Sequence, residues 1–335
     1  MKRMNQVLTL VALVAVIRLA SIPAAAQTCF ASADMEPALL SALRSTAQDY
    51  YKSAQAGDAA ALQPLAEFNM QDVLEEKKDF LAAPAVIRSV YLLDNSQAGG
   101  RRAEFFCGVY NSSNLVGFAF GALAPGRYGV VIQDLTGGKI PATVSWILHQ
   151  NGGQWKIGGL YIKATQIAGH DGDWYLSQAR SYKAKGQGHN AWFYYKIADD
   201  LERPFPAMST PQLDKLYDEM QPVRPSDLPA SGQPVELSSA GRVFQLLQVF
   251  PATVDDHLDL VVRYQAPDIS DTGKTFQDNM ALINALVGRY PELHGAFTGV
   301  VARAVAPNGQ DYGSLLAMKD VKATSNQQQA ISNKR

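Results

Sequence analysis

The stretch ATVSWILHQNGGQWKIGGLYIKA, residues 142–164, decides the fold. Ala142, Val144, Trp146 and Leu148 alternate with Thr143, Ser145, Ile147 and His149. Side chains of a β-strand alternate between its two faces, so the stretch Ala142–Gln150 reads as a strand. Asn151-Gly152 is turn chemistry, and the pattern resumes over Gln154–Lys163. A turn this short makes the pair antiparallel. Upstream, Ala103–Tyr110, Leu115–Gly121 and Arg127–Gln133 read the same way. Asn111-Ser112-Ser113-Asn114, Pro125-Gly126 and Gly137-Gly138 separate these strands. The expectation is a meandering antiparallel sheet.

The period differs before the strands. Leu39, Leu40, Leu43, Ala47, Tyr50 and Tyr51 recur at helical spacing. Gly57 breaks the run, and Asp58 is placed to cap a second helix through Leu62 and Leu65. Helices first and sheet second is an α+β layout, with helices on one face of the sheet. The stretch between Glu67 and Arg102 is polar and charged and is assigned no element.

The helix ending Tyr50-Tyr51-Lys52, then Ala56-Gly57-Asp58 and Leu62, resembles the opening of the NTF2-like superfamily. The hairpin of Ser145-Trp146-Ile147-Leu148 and Gly153-Gln154-Trp155-Lys156-Ile157 resembles that superfamily's last two strands. The resemblance covers residues 35–168. It implies a curved sheet wrapped against helices around a cone-shaped pocket. Catalytic members place an acid-base pair inside the cone, which makes Asp49, Tyr50 and His149 the candidates here. Trp146 and Trp155 are the candidate ligand platforms. Each has a plainer reading: Asp49 on a wet helix face, His149 at a hairpin end, the tryptophans as core. No catalytic signature of the superfamily is present, and a fold by itself supplies no function.

Residues 170–221 read as a helical hairpin plus a third helix. Asp173 is placed to cap a helix through Lys185, Gly186 turns the chain, and a second helix runs from Asn190 to Glu202. The spacing of Ala179, Tyr182, Ala191, Tyr195 and Ala198 resembles one tetratricopeptide repeat. Small residues let two helices approach, and the aromatics fill the groove between them. A lone unit is not a stable array, so Pro211–Met220 is expected to cover its open side. His170, Asp171, Asp173 and His189 fit no zinc or calcium spacing, and no metal or cofactor is expected.

Prolines 222, 225, 229 and 234 mark 222–234 as a linker. Residues 235–322 read as ββαββ. The strands are Gly241–Phe250, His257–Tyr264, Gly299–Ala306 and Tyr312–Met318. Pro251 and Asp255-Asp256 mark the first reversal. The helix carries a stripe of Phe276, Met280, Ile283, Leu286, Val287 and Tyr290. Asp255, Asp256, His257 and Asp259 read as a solvated hairpin tip. Gly273-Lys274-Thr275 lacks the earlier glycine of a phosphate-binding loop. The tail 323–335 is polar and reads as disordered.

Lys2-Arg3, the apolar run Val7–Ile17 and Ala24-Ala25-Ala26 have the order of a secretory signal peptide over residues 1–26. The run is too short to span a bilayer, and Thr28 stands where a lipobox before Cys29 needs a small residue. The expectation is a periplasmic or secreted protein with no transmembrane segment after cleavage. There are 335 residues and two cysteines, Cys29 and Cys107. An oxidising destination makes a bridge between them the first expectation. The alternative is a buried free Cys107 and an exposed Cys29. The net charge of -1 argues against nucleic acid, which needs a basic face. No G-x-S-x-G elbow or H-E-x-x-H pair is present. The expectation is a non-catalytic binding or assembly module of the cell envelope, with an envelope protein or a peptide as partner. The alternative is a hydrolase or isomerase that uses the cone.

Overall fold

A computed structural model of the chain describes residues 27–97, 102–109, 112–230, 232–239 and 241–321. The expected signal segment 1–26 and the expected tail 323–335 lie outside the described residues. The fold is α+β.

The chain opens with β1 (Thr28–Ala31) and α1 (Pro37–Gln55). Pro37 starts the helix, where its missing N–H costs nothing. The Asp58 side chain accepts the N–H of Ala61 and starts α2 (Ala59–Leu62). Next come α3 (Met70–Leu81), capped by Asn69, and β2 (Ala85–Asp94). Neither α3 nor β2 is in the sequence expectation. Charges at 75–79 mask the helical spacing of Met70, Leu74 and Leu81, which α3 buries.

Then follow β3 (Ala103–Cys107), β4 (Val116–Phe120), β5 (Arg127–Leu135), β6 (Ala142–Asn151) and β7 (Gln154–Ala164). The main sheet has the order β1-β2-β5-β6-β7 and is antiparallel throughout. This corrects the expected meander, because β2 takes the place beside β5 and the β3–β4 hairpin forms part of a separate sheet. One face of the main sheet carries Val90, Leu92, Val144, Trp146 and Leu148 and packs on α1–α3. Gly129 lets α1 sit close, since a Cβ there would lie 2.3 Å from Leu43 Cδ2. The opposite face carries Leu93, Val130, Ile132 and Ile147 and meets Phe105 of β3 and Phe118 of β4. So β6 is buried on both faces from Ala142 to Leu148, not wet on one as its alternation suggests.

Two short strands, β8 (Gln166–Ile167) and β9 (His170–Asp171), lead into α4 (Gly172–Ala184). The cap is Asp171, whose side chain accepts the N–H of Trp174 at 2.9 Å. This corrects the assignment to Asp173, which lies in the first turn. A short turn leads to α5 (Gly188–Glu202), then β10 (Met208–Ser209), which pairs with β4, and α6 (Pro211–Met220). Ala179, Ala191 and Ala198 are fully buried.

The remainder comprises β11 (Val235–Ser239), β12 (Arg242–Val254), β13 (His257–Gln265), α7 (Thr272–Arg289), β14 (Gly299–Val305) and β15 (Asp311–Ala317). The sheet order is β11 to β15 in sequence, with β13 and β14 parallel across α7. The ββαββ order is present with β11 added in front. Tyr194 of α5 donates to the Ala296 carbonyl at 2.6 Å, and the hairpin shares one hydrophobic core with this sheet. Three expectations are corrected. Pro251 lies inside β12, on the stretch that β11 does not cover, where one edge is free and an absent N–H is tolerated. Only Asp255 and Asp256 make the reversal, both with positive φ. Phe276 is exposed, and the buried face of α7 is set by Asn279, Leu282, Ile283 and Leu286. Asp259 is not at the wet tip but is 2 % exposed. Burial raises its pKa, and the Gly299 N–H partly offsets this.

Candidate functional site

The residues singled out in the sequence divide into two groups. Tyr50, Trp146 and Trp155 come together under α1. The Tyr50 hydroxyl donates to the Trp155 carbonyl, and its ring meets Trp146 edge-on at 6.0 Å. Trp146 is fully buried, and its Nε1–H donates to Gln133 Oε1 at 2.7 Å. Trp155 is buried in the same core. Asp49 and His149 stay out of it. Asp49 is exposed and faces Lys52 at 3.4 Å. His149 stacks on Tyr128 at 4.7 Å, and Tyr128 belongs to the core on the other face of the sheet. The helix side of the sheet therefore holds packed aromatic rings where an acid-base pair would have to stand.

The remaining polar candidates separate as well. His170 stacks on Trp174, and His189 is held between Glu292 at 2.7 Å and Asp227 at 3.0 Å. Among the described residues no group of three His, Cys, Asp or Glu side chains is placed to hold a metal ion. Cys29 and Cys107 form a disulfide with α-carbons 5.1 Å apart. It ties β1 of the main sheet to β3 of the smaller one. No described helix is long and apolar enough to cross a membrane.

Open space on the other face of the main sheet lies against α4, α6 and the end of α5. A cavity of about 600 Å³ is bounded by β2, α4 and α6. Tyr91, Leu176, Met208, Leu213 and Leu216 are its apolar wall. A second cavity of about 320 Å³ runs along Asp134, Thr143 and Lys163. The two share Arg88, Glu202 and Pro204, so Arg88 and Glu202 stand where they meet.

Local structure explains both residues. In the β2–β5 ladder, Ile87 faces Gln133 and Ser89 faces Ile132, which leaves Arg88 as the extra residue of a β-bulge. A bulge re-aims side chains, and here it directs both Arg88 and Ser89 to the cavity. Arg88 also faces Asp134 at 3.5 Å. Glu202 is the last residue of α5, where the helix dipole disfavours a carboxylate. Its acidic neighbours are paired: Asp199 with Arg203 at 2.6 Å and Asp200 with Lys163 at 2.7 Å. Lys163 also bonds the Asp200 carbonyl, which pins the end of α5 to β7. Among the described residues Glu202 has no such ion pair. Desolvation raises its pKa, the charges of Asp173 and Asp171 raise it further, and Arg88 opposes them. Sequence reading passes over Arg88, Glu202 and the cavity. The signals present are the successive polar residues Arg88-Ser89 in an apolar strand, and a carboxylate at a helix C-terminus.

In comparisons with known proteins the chain matches no family model, no curated protein and no solved structure.

Proposed function

We propose that the chain is an exported, non-catalytic binding module of the cell envelope that takes its ligand or partner in the cleft between the main sheet and α4–α6. The observation that carries this reading is the cavity of about 600 Å³ with one apolar wall and a charged junction. That size and lining suit a small-molecule or short-peptide site. Export is supported by the order of residues 1–26 and by the Cys29–Cys107 bridge, since such bridges persist in oxidising compartments. The NTF2-like reading of 35–168 is supported by helices on one face of an antiparallel sheet. The repeat-like reading of α4–α5 is supported by the buried alanines at their contact.

The alternative is an enzyme of hydrolase or isomerase type using the helix-side cone. Its nominated base, His149, and acid, Asp49, lie apart, and Trp146 fills the space between helices and sheet. The test compares the parent with Leu176→Trp, which fills the cleft. Ligand-observed NMR against a fragment collection should find compounds that bind the parent and not the variant. Bound esters and amides should hydrolyse no faster than in buffer. Turnover abolished by His149→Ala would favour the enzyme.

A further inference from the structure

We infer that the protein pairs with a second copy of itself through the open face of the β11–β15 sheet. Leu258, Leu260 and Val262 of β13 point into the core shared with α5 and α7. Asp259, Val261 and Arg263 therefore point the other way. The register sets Phe250, Val261, Val301 and Leu315 in one row across β12 to β15. Phe250 is 39 % exposed and Leu315 is 49 % exposed, so the row is an apolar stripe open to water. A contiguous stripe of this kind marks an interaction surface. The residues after Val321 carry a single large apolar side chain, Ile331, too few to cover it. None of the stripe residues lines the cleft, so this reading is separate from the one above.

The rows that flank the stripe identify the occupant. On one side stand Gln248, Arg263 and Arg303, which are long. On the other lie Ala252, Asp259, Gly299 and Ala317, which are short. Gly299 sits so close to Asp259 that a Cβ there would lie 3.0 Å from Asp259 Oδ1. A two-fold axis along the stripe turns the sheet over onto its own image and exchanges the two flanks. The long row of each copy then lies over the short row of the other, and the stripe meets itself. Stacked sheets pack about 10 Å apart, a gap that a long row facing a short one fills. The charges agree. Asp259 is 2 % exposed, and its Oδ1 has no hydrogen-bond partner among the described residues. Arg303 is held by Asp311 at 2.6 Å. Arg263 donates from Nη1 to Gln248 at 3.0 Å, and its Nε has no partner among the described residues. Asp259 and Arg263 stand about 7 Å to either side of Val261 along the strand. The rotation therefore brings Arg263 of one copy to Asp259 of the other, twice. Such reciprocity belongs to an isologous interface. The buried acid gains a guanidinium partner that the described residues of its own chain do not supply.

Sedimentation velocity of the exported protein over a wide concentration range tests this. The parent should run as a dimer that dissociates on dilution. Leu315→Glu should run as a monomer and keep the parent's circular dichroism spectrum, because the position is exposed. Asp259→Asn and Arg263→Gln should each weaken the dimer by about tenfold or more. The double variant should be no weaker than the worse single one, since the two residues meet each other. Arg263→Gln, at a half-buried position, carries the charge test even where Asp259→Asn fails to fold. A parent that stays monomeric at every concentration overturns the inference. So does a dimer that Leu315→Glu leaves intact, which places the interface elsewhere. An Arg263→Gln dimer as tight as the parent's would overturn the two-fold arrangement.

Discussion

The carboxylate of Glu202 rests on the α-carbon of Gly172, so closely that a methyl group at 172 would sit 2.2 Å from Glu202 Oε1. This contact places an acid that has no ion pair among the described residues at the end of one helix against the start of another. It sets Glu202 beside Asp171 and Asp173 and opposite Arg88. Such an arrangement opposes stability, since the C-terminal end of a helix disfavours a carboxylate.

Glu202 has a pH signature with a definite sign. Its folded pKa lies above the ordinary 4.5, so the folded state binds this proton more tightly than the unfolded chain. The associated stability is present below 4.5 and is lost as pH rises through the folded pKa. Glu202→Gln should therefore melt higher than the parent at pH 7, with the difference closing toward pH 4. Thermal melts across that range check it. A variant that melts lower at pH 7 would mean that Glu202 stabilises the fold.

Trp146 should behave as core. Trp146→Phe removes the partner of the buried Gln133 amide and should cost about 1–3 kcal/mol. Trp146→Ala should cost about 3–5 kcal/mol through the cavity it leaves. Urea unfolding measures both. Small effects would mean an open cone.

The hairpin depends on close approach at Ala191 and Ala198, both fully buried. Leucine at either position should cost roughly 1–3 kcal/mol by overpacking. Variants that melt with the parent would mean that the α4–α5 contact is looser than described.

The Cys29–Cys107 bridge closes a separation of 78 residues. Its reduction should destabilise the protein by roughly 2–4 kcal/mol. Intact mass with and without alkylation, paired with melts in reductant, tests it. Two free thiols in protein recovered from outside the cytoplasm would contradict it.

The α1–α2 break and the β5–β7 ladder were legible because local chemistry decides them: Gly57-Asp58, Pro125-Gly126 and Asn151-Gly152 punctuate clear periods. Helix α3 was hidden by its charged wet face, and β2 by the bulge at Arg88, which breaks alternation midway. The fate of β3–β4 depends on which strand wins the place beside β5, a competition settled at long range. Site residues fared worse for the same reason. Whether Glu202 is paired depends on Lys163 and Arg203 having been taken by Asp200 and Asp199. Its helix-terminal position was visible in the sequence, but its isolation was not.

The most direct test is a methyl NMR titration of the protein, labelled at Met and Leu, with the fragments that bind the parent and not Leu176→Trp. The methyls of Leu176, Met208, Leu213 and Leu216 line the cleft, and those of Leu43, Leu62 and Leu74 lie in the core under α1–α3. A cleft-binding module predicts shifts in the first group while the second stays still. Shifts in the second group, or none in either, would contradict it.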